Sequence, residues 1–182
     1  MFIRRLSRWQ AEQQREAVAD VYVEAYRRER DRQGFLETFA EDVQRPGFDM
    51  VVASGGNKPA AYAYGFDIEE PAVSGQVFAL AGLTVLPAHR RDGVATRLVE
   101  QLLIRTDAAL VAARVDPANE AAVGALRSWG WTRLGAVAAP VGSSDSSPDA
   151  SPDGTAATSP FTAVPVVGSV TVTDVWSRVL TS

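Results

Sequence analysis

Residues 77–103 read VFALAGLTVLPAHRRDGVATRLVEQLL, an apolar run that passes through a short polar turn into a second, differently spaced one. Val77, Ala79, Ala81, Leu83 and Val85 fall on one face of an extended chain, and Phe78, Leu80 and Leu86 on the other. A strand that is apolar on both faces needs a covering layer on both sides. Pro87 ends it. Val94, Ala95, Leu98, Val99, Leu102 and Leu103 then recur at helical spacing, so an amphipathic helix follows. A buried strand that feeds such a helix implies an α/β architecture.

The turn between them is Arg90-Arg91-Asp92-Gly93-Val94-Ala95. The first amides of a helix lack intrahelical partners, and the macrodipole adds partial positive charge there. An anion such as a pyrophosphate fits that place. Gly93 lets backbone approach a ligand closely, and Ala95 keeps the first helical turn thin. An ordinary polar turn would read the same way. No Gly-Lys-Ser/Thr follows, so this is not a nucleotide P-loop, and the dinucleotide G-x-G-x-x-G is absent.

Val85-x-Pro87-x-x-Arg90-x-x-Gly93-x-Ala95 resembles the acetyl-CoA pyrophosphate loop of the GNAT superfamily of N-acetyltransferases. A second block, Val115-Asp116-Pro117-x-Asn119-x-x-Ala122 with Trp129-Gly130-Trp131 behind it, is similar to the strand, Asn-x-x-Ala helix and Gly-aromatic ending that follow that loop. The blocks stand at the superfamily's separation and together span Val77 to Trp131. The resemblance implies a single GNAT-like domain, with a mixed, twisted central sheet and helices on both faces. It also implies acetyl-CoA as co-substrate and an amine as acceptor.

Composition narrows the remaining classes. The chain has 182 residues, 46% of them hydrophobic, which suits one globular domain over residues 1–182. A net charge of −4 argues against general nucleic-acid binding. With no cysteine and His89 as the single histidine, neither a Cys-based zinc site, a His-based metal site nor a Ser-His-Asp triad is expected. No signal-like or membrane-spanning apolar run is present, so the expected location is the cytoplasm. A monomer or a homodimer fits equally well.

In chain order, Phe2, Ile3 and Leu6 suggest a first strand, and Trp9 to Arg32 one helix with Val18, Val21, Tyr22, Ala25 and Tyr26 on its inner face. Acids interleave with arginines there, which reads as a solvated helix laced with ion pairs. Phe35, Leu36, Phe39 and Val43 mark a second helix, stopped at Pro46-Gly47. Met50 to Ser54 and Pro59 to Phe66 are strands joined by a hairpin at Gly55-Gly56-Asn57-Lys58. Tyr62, Tyr64 and Phe66 share one face; they read as core, although a tyrosine here could line an acceptor site. Asp67, Glu69 and Glu70 fall in the loop that follows. Gly82, inside the long strand, signals a bulge or a close backbone approach. Ala108 to Val115 and Trp131 to Val137 are further strands, with a helix between them starting at Asp116-Pro117 or capped by Asn119. Residues 140–160 are rich in Ser, Asp, Pro and Gly and carry no basic residue; they read as a disordered loop between the last two strands. Val170 to Trp176 reads as the closing strand.

The resemblance assigns roles. It implies that a bulge near Gly82 splays the central strand from its parallel neighbour, so that backbone at Leu83, Thr84 and Val85 pairs with the pantetheine arm. Arg90, Arg91, Asp92, Gly93, Val94, Ala95 and Thr96 would hold the pyrophosphate, Asn119 would bind the CoA arm, and the Val85 amide would stabilise the oxyanion. Many members carry a tyrosine acid seven residues after the asparagine, and an acidic residue on the central strand. Leu126 and Gly82 stand at those places here. Asp67, Glu69 and Glu70 remain as base candidates, and His89 reads as a loop residue. A CoA-binding relative without turnover and a non-enzymatic interaction domain stay open as alternatives.

Overall fold

The computed structural model describes residues 1–27, 31–56, 58–69, 75–138 and 172–180. The expected insert at 140–160 and Glu70 lie outside them. Seven strands form one mixed sheet: β1 (Phe2–Leu6), β2 (Asp49–Gly55), β3 (Lys58–Ile68), β4 (Val77–Val85), β5 (Leu110–Val115), β6 (Thr132–Ala138) and β7 (Val172–Val179), in the order β1-β2-β3-β4-β5-β7-β6. Among the described residues, only β4 and β5 run parallel. Their crossover is α4 (Val94–Leu103), which needs the length of a helix because parallel neighbours cannot be joined by a hairpin.

Helices cover both faces. On one, α1 (Arg8–Gln13), α2 (Arg15–Tyr26) and α3 (Arg32–Val43) pack on Leu6, Met50, Val52, Tyr62 and Tyr64. On the other, Val94, Leu98, Val99 and Leu102 of α4 meet Val51, Ala53, Ala61, Ala63, Phe78 and Leu80. Leu126 of α5 (Glu120–Ser128) joins that second core with Trp131 and Trp176.

Three local expectations need correcting, and the structure chooses one of the two helix starts the sequence left open. The helix expected from Trp9 to Arg32 is interrupted at Gln14 (φ −100°, ψ 6°), and Tyr26 stays exposed while Ala19 takes an inner position. No proline or glycine causes the break. Ser7 and Gln10 form a capping box that fixes α1, and Arg4 holds the Gln14 side chain from β1 (2.9 Å). Asp67 lies within β3, not in the loop after it. Helix α5 begins after Asn119, whose Oδ1 accepts from the Ala122 amide (3.1 Å), while Asp116 Oδ1 accepts from the Ala118 amide to shape the preceding turn. The third correction concerns β4. Tyr64 pairs with Gly82 but Gly65 with Leu80, so Ala81 is an extra residue. This β-bulge reverses the alternation. Leu83 and Val85 therefore pack on the α4 side with Phe78 and Leu80, whereas Gly82 and Thr84 turn toward α1–α3.

Candidate active site

The bulge sits where the two parallel strands part. β4 and β5 pair from Val77↔Leu110 to Leu80↔Ala113 and no further, although both strands continue. The result is a fork whose β4 edge runs from Ala81 to Val85. The Leu86 amide donates to Ala60 on β3 (2.9 Å). Backbone direction alternates along a strand, so the polar groups of Leu83 and Val85 point into the fork. Those of Thr84 point to β3.

A turn of 3-10 helix at Pro87–His89 leads from the fork to the loop. Arg91 (φ 70°) and Gly93 (φ 69°) both take the left-handed conformation, which turns successive amides in a common direction. Gly93, the N-cap of α4, has no side chain to cap it, and a Cβ added there would meet nothing within 4 Å among the described residues. The first amides of α4 thus face an open space beside the fork. Arg90 behaves differently from its neighbours. Its Nε donates to the Val85 carbonyl (3.0 Å) and a terminal nitrogen to the Ala25 carbonyl at the end of α2 (3.0 Å). It is a strut across the top of the fork, and it leaves the Val85 amide as the polar group of that residue without a role in the strut. Thr96 is held as well: its hydroxyl accepts from the Trp129 indole (3.0 Å), which ties the end of α5 to the first turn of α4. Asn119 caps α5 with its oxygen, and the residue is exposed with the rest of that turn.

The expected base candidates sit elsewhere. Asp67 pairs across to Phe78, at the end of the sheet away from the loop, and accepts from Gln76 (2.6 Å). Burial raises its pKa. Glu69 is exposed just beyond the end of β3. Leu126 is 3% exposed, a core residue and not a cleft wall. His89 is half-buried near Gly55, on the β2–β3 hairpin side.

What does approach the fork, on the α1–α3 side, is a set of polar groups: Tyr62 and Tyr64, on the face the sequence suggested for an acceptor site, and Asp42, Arg45 and Arg114, which sequence patterns did not single out. Gly82 gives way to the Tyr64 ring, which a Cβ at 82 would overlap. The Tyr64 hydroxyl donates to Asp42 Oδ2 of α3 (3.2 Å), and Arg45 Nε pairs with Asp42 Oδ1 (3.4 Å). Burial pushes the Asp42 carboxyl up to about 6, against the pull of Tyr64 and Arg45. Burial and then the Asp42 charge hold the Tyr64 phenol well above its ordinary range. One rung up, Tyr62 shares a hydrogen bond with Thr84; both are buried. From β5, Arg114 follows the last paired residue, on the same face as Ala112, and burial lowers its pKa. Two signals were available in the sequence. Asp42 stands at helical spacing from Phe35 and Phe39, on the apolar face of α3, and Arg114 interrupts the apolar strand LVAARV.

Among the described residues there is no group of three His, Cys, Asp or Glu side chains placed to hold a metal, and no helix is long and apolar enough to cross a membrane. The fold matches solved structures over nearly its whole length. A GNAT-family protein from Desulfovibrio desulfuricans aligns with a TM-score of 0.65 at 13% identity, covering 98% of each chain. The ribosomal-protein-S18-alanine N-acetyltransferase from Escherichia coli aligns at 0.64 and 16% identity, covering 100% of this chain and 96% of that one. The protein yncA from Salmonella typhimurium, solved with its cofactor acetyl-CoA, aligns at 0.64 and 15%, covering 100% and 95%. At such identities these likenesses speak to fold alone. No curated protein sequence matches. The acetyltransferase (GNAT) family model matches residues 11–131, which contain helices α2 to α5, the bulged strand, the fork and the loop just described. The chain belongs to the GNAT family of acetyltransferases.

Proposed function

We propose that the protein transfers the acetyl group of acetyl-CoA to a primary amine of a small molecule or a peptide. The observation that carries this reading is the fork: two parallel strands part at Leu80 and Ala113, next to a left-handed turn and an uncapped helix N-terminus. The amides from Arg91 to Thr96 would hold the pyrophosphate of acetyl-CoA, with positive helix-end charge to favour it. The edge of β4 at Leu83 and Val85 would pair with the pantetheine arm, and Asn119 would meet that arm from α5. Arg90 and Thr96 would act by fixing the loop.

In the reaction, the amine nitrogen forms a bond to the thioester carbon, and the carbonyl oxygen takes up negative charge. The Val85 amide is aimed into the fork and can stabilise that oxygen. Collapse breaks the carbon–sulfur bond, thiolate leaves, and the nitrogen gives up a proton. The cytoplasm, a single domain across residues 1–182, and a monomer or homodimer complete the proposal. A second reading, CoA binding without turnover, is favoured by Leu126 and Gly82, which put apolar groups at two places where relatives of this family carry proton-transfer residues.

Two measurements test the assignment. Incubation with acetyl-CoA and a mixed amine library should release free thiol; binding without thiol release would support the second reading. Gly93→Glu places a charged side chain, on a residue held at φ 69°, in the space proposed for phosphate. Each charge-assisted hydrogen bond lost is worth on the order of 1.5–3 kcal/mol, so CoA binding should disappear in calorimetry. Unchanged affinity in a folded Gly93→Glu protein would remove the pyrophosphate site from this loop.

A further inference from the structure

The reaction proposed above needs a group that takes the amine's proton, and no carboxylate stands on β4 at the fork. Three observations bear on which group takes it. Gly82 lacks a side chain, and Tyr64 from β3 fills the volume that one would occupy, on the α1–α3 side of the fork. The Tyr64 hydroxyl ends on Asp42 (3.2 Å). Asp42 in turn faces the buried Nε of Arg45 (3.4 Å); the Arg45 side chain as a whole is about one-third exposed and lies over the Phe66 ring, so its guanidinium carries the outer end of the chain of groups toward solvent.

We infer that Tyr64 and Asp42 form a proton relay that leads from the acceptor nitrogen at Gly82 to solvent beside Arg45. The proposal rests on the acetyltransferase reading. As the carbon–nitrogen bond forms, the nitrogen passes a proton to Tyr64 Oη, and the Tyr64 hydroxyl proton moves to Asp42 Oδ2. No net charge appears on the phenol, which matters because its burial makes a free phenolate costly. The neutral Asp42 then loses its proton past Arg45, and the relay is reset.

The surroundings suit this task. Besides Tyr64 and Arg45, the charged neighbour acting on Asp42 is Glu41, which raises its pKa further. Tyr62 and Tyr22 act on Tyr64 in the same direction. The net outcome is a carboxyl at about 6, ionised near neutrality yet basic enough to accept a proton. Tyr62 is the internal contrast: its hydroxyl meets Thr84, not a carboxylate.

The test compares kcat/KM of the parent with that of Asp42→Asn and Tyr64→Phe across pH 4.5–8.5, with one acceptor found in the thiol-release screen. The acceptor's own ionisation is common to both proteins and cancels in the ratio. For Asp42→Asn the parent-to-variant ratio should climb from near one at low pH to about 10²-fold above pH 7, with its midpoint near 6. Tyr64→Phe should lose activity in the same pH range, and Tyr62→Phe should give a ratio that does not vary with pH. Thermal melts of each variant establish that it is folded. A ratio independent of pH for Asp42→Asn, in a protein that turns over, overturns the relay and leaves the acetyltransferase reading standing. Absence of turnover in the parent with every amine overturns both.

Discussion

Asp42 shows how a single residue can be read through its stability as well as its chemistry. Its folded pKa of about 6 lies above the ordinary 3.8 because burial disfavours the charged form. Between those two values the folded chain binds more protons than the unfolded one. Stability therefore falls as pH rises from about 4 to about 6, and then levels off. This is opposite in sign to a carboxylate held by a strong ion pair; the Arg45 contact at 3.4 Å compensates only in part. Asp42→Asn removes the titration while its side-chain oxygen can still accept from Tyr64. The variant should match the parent near pH 4 and exceed it by roughly 1–3 kcal/mol at pH 7, taking 1.36 kcal/mol per pKa unit and some residual screening. Urea denaturation at pH 4, 5, 6 and 7 measures this directly. A parent that gains stability relative to Asp42→Asn as pH rises would mean that the ion pair, and not burial, dominates at this site.

At the scale of elements, the bulge in β4 organises the site, and it also marks where sequence reading stopped. Strict alternation over residues 77–86 places Leu83 and Val85 with Val77, but the extra residue Ala81 moves them to the opposite face. Periodicity carries no information about an inserted residue. Gly82 hinted at the irregularity, and its neighbour provides it. The strands up to β5 along the chain, the crossover helix and the glycine-containing turn before it were legible, because buried strands, an amphipathic helix and glycine each leave a local signature. The Tyr64–Asp42 contact was not, because it joins residues from two elements through their side chains. The break at Gln14 left no mark either, since it depends on capping and on Arg4 from another strand. Gly82→Ala tests the packing of the bulge. The new methyl group must displace the Tyr64 ring, which Phe39, Phe48 and Tyr62 already surround. Overpacking of that kind costs about 1–3 kcal/mol. Combining it with Tyr64→Ala should cost less than the two single changes added together, because the clash is then absent. Additive losses in a thermal double-mutant cycle would show that the ring and the glycine do not share one space.

Over the whole molecule, the sheet is closed by its last strand. β7 lies between β5 and β6, and brings Trp176 into the α4-side core and Asp174 to Arg133 (2.6 Å). Ala138 and Val172 stand opposite each other at the ends of β6 and β7, so the geometry of the sheet asks no more of the connection than a hairpin turn. The sequence supplies a far longer segment, acidic and poor in apolar residues from Pro140 to Pro160. Such a composition has little to bury. We expect that deleting Ser143 to Thr158 and rejoining the ends leaves the cooperative thermal transition intact. Each halving of a flexible loop's length is worth only about 0.6 kcal/mol in closure entropy, so the midpoint should hold or rise slightly. Loss of the transition would show that the deleted residues contribute packing that their composition hides. Activity provides the second readout of the same protein. Asp145, Asp149 and Asp153 place negative charge in this segment with no basic residue among them. If they attract a cationic amine, the deletion should raise KM for charged acceptors and leave neutral ones unaffected, and added salt should narrow the difference because it screens exposed charges over distances of about 8–10 Å. A KM change that is the same for both kinds of acceptor would instead mean that the deletion has disturbed β7 and the fork beside it.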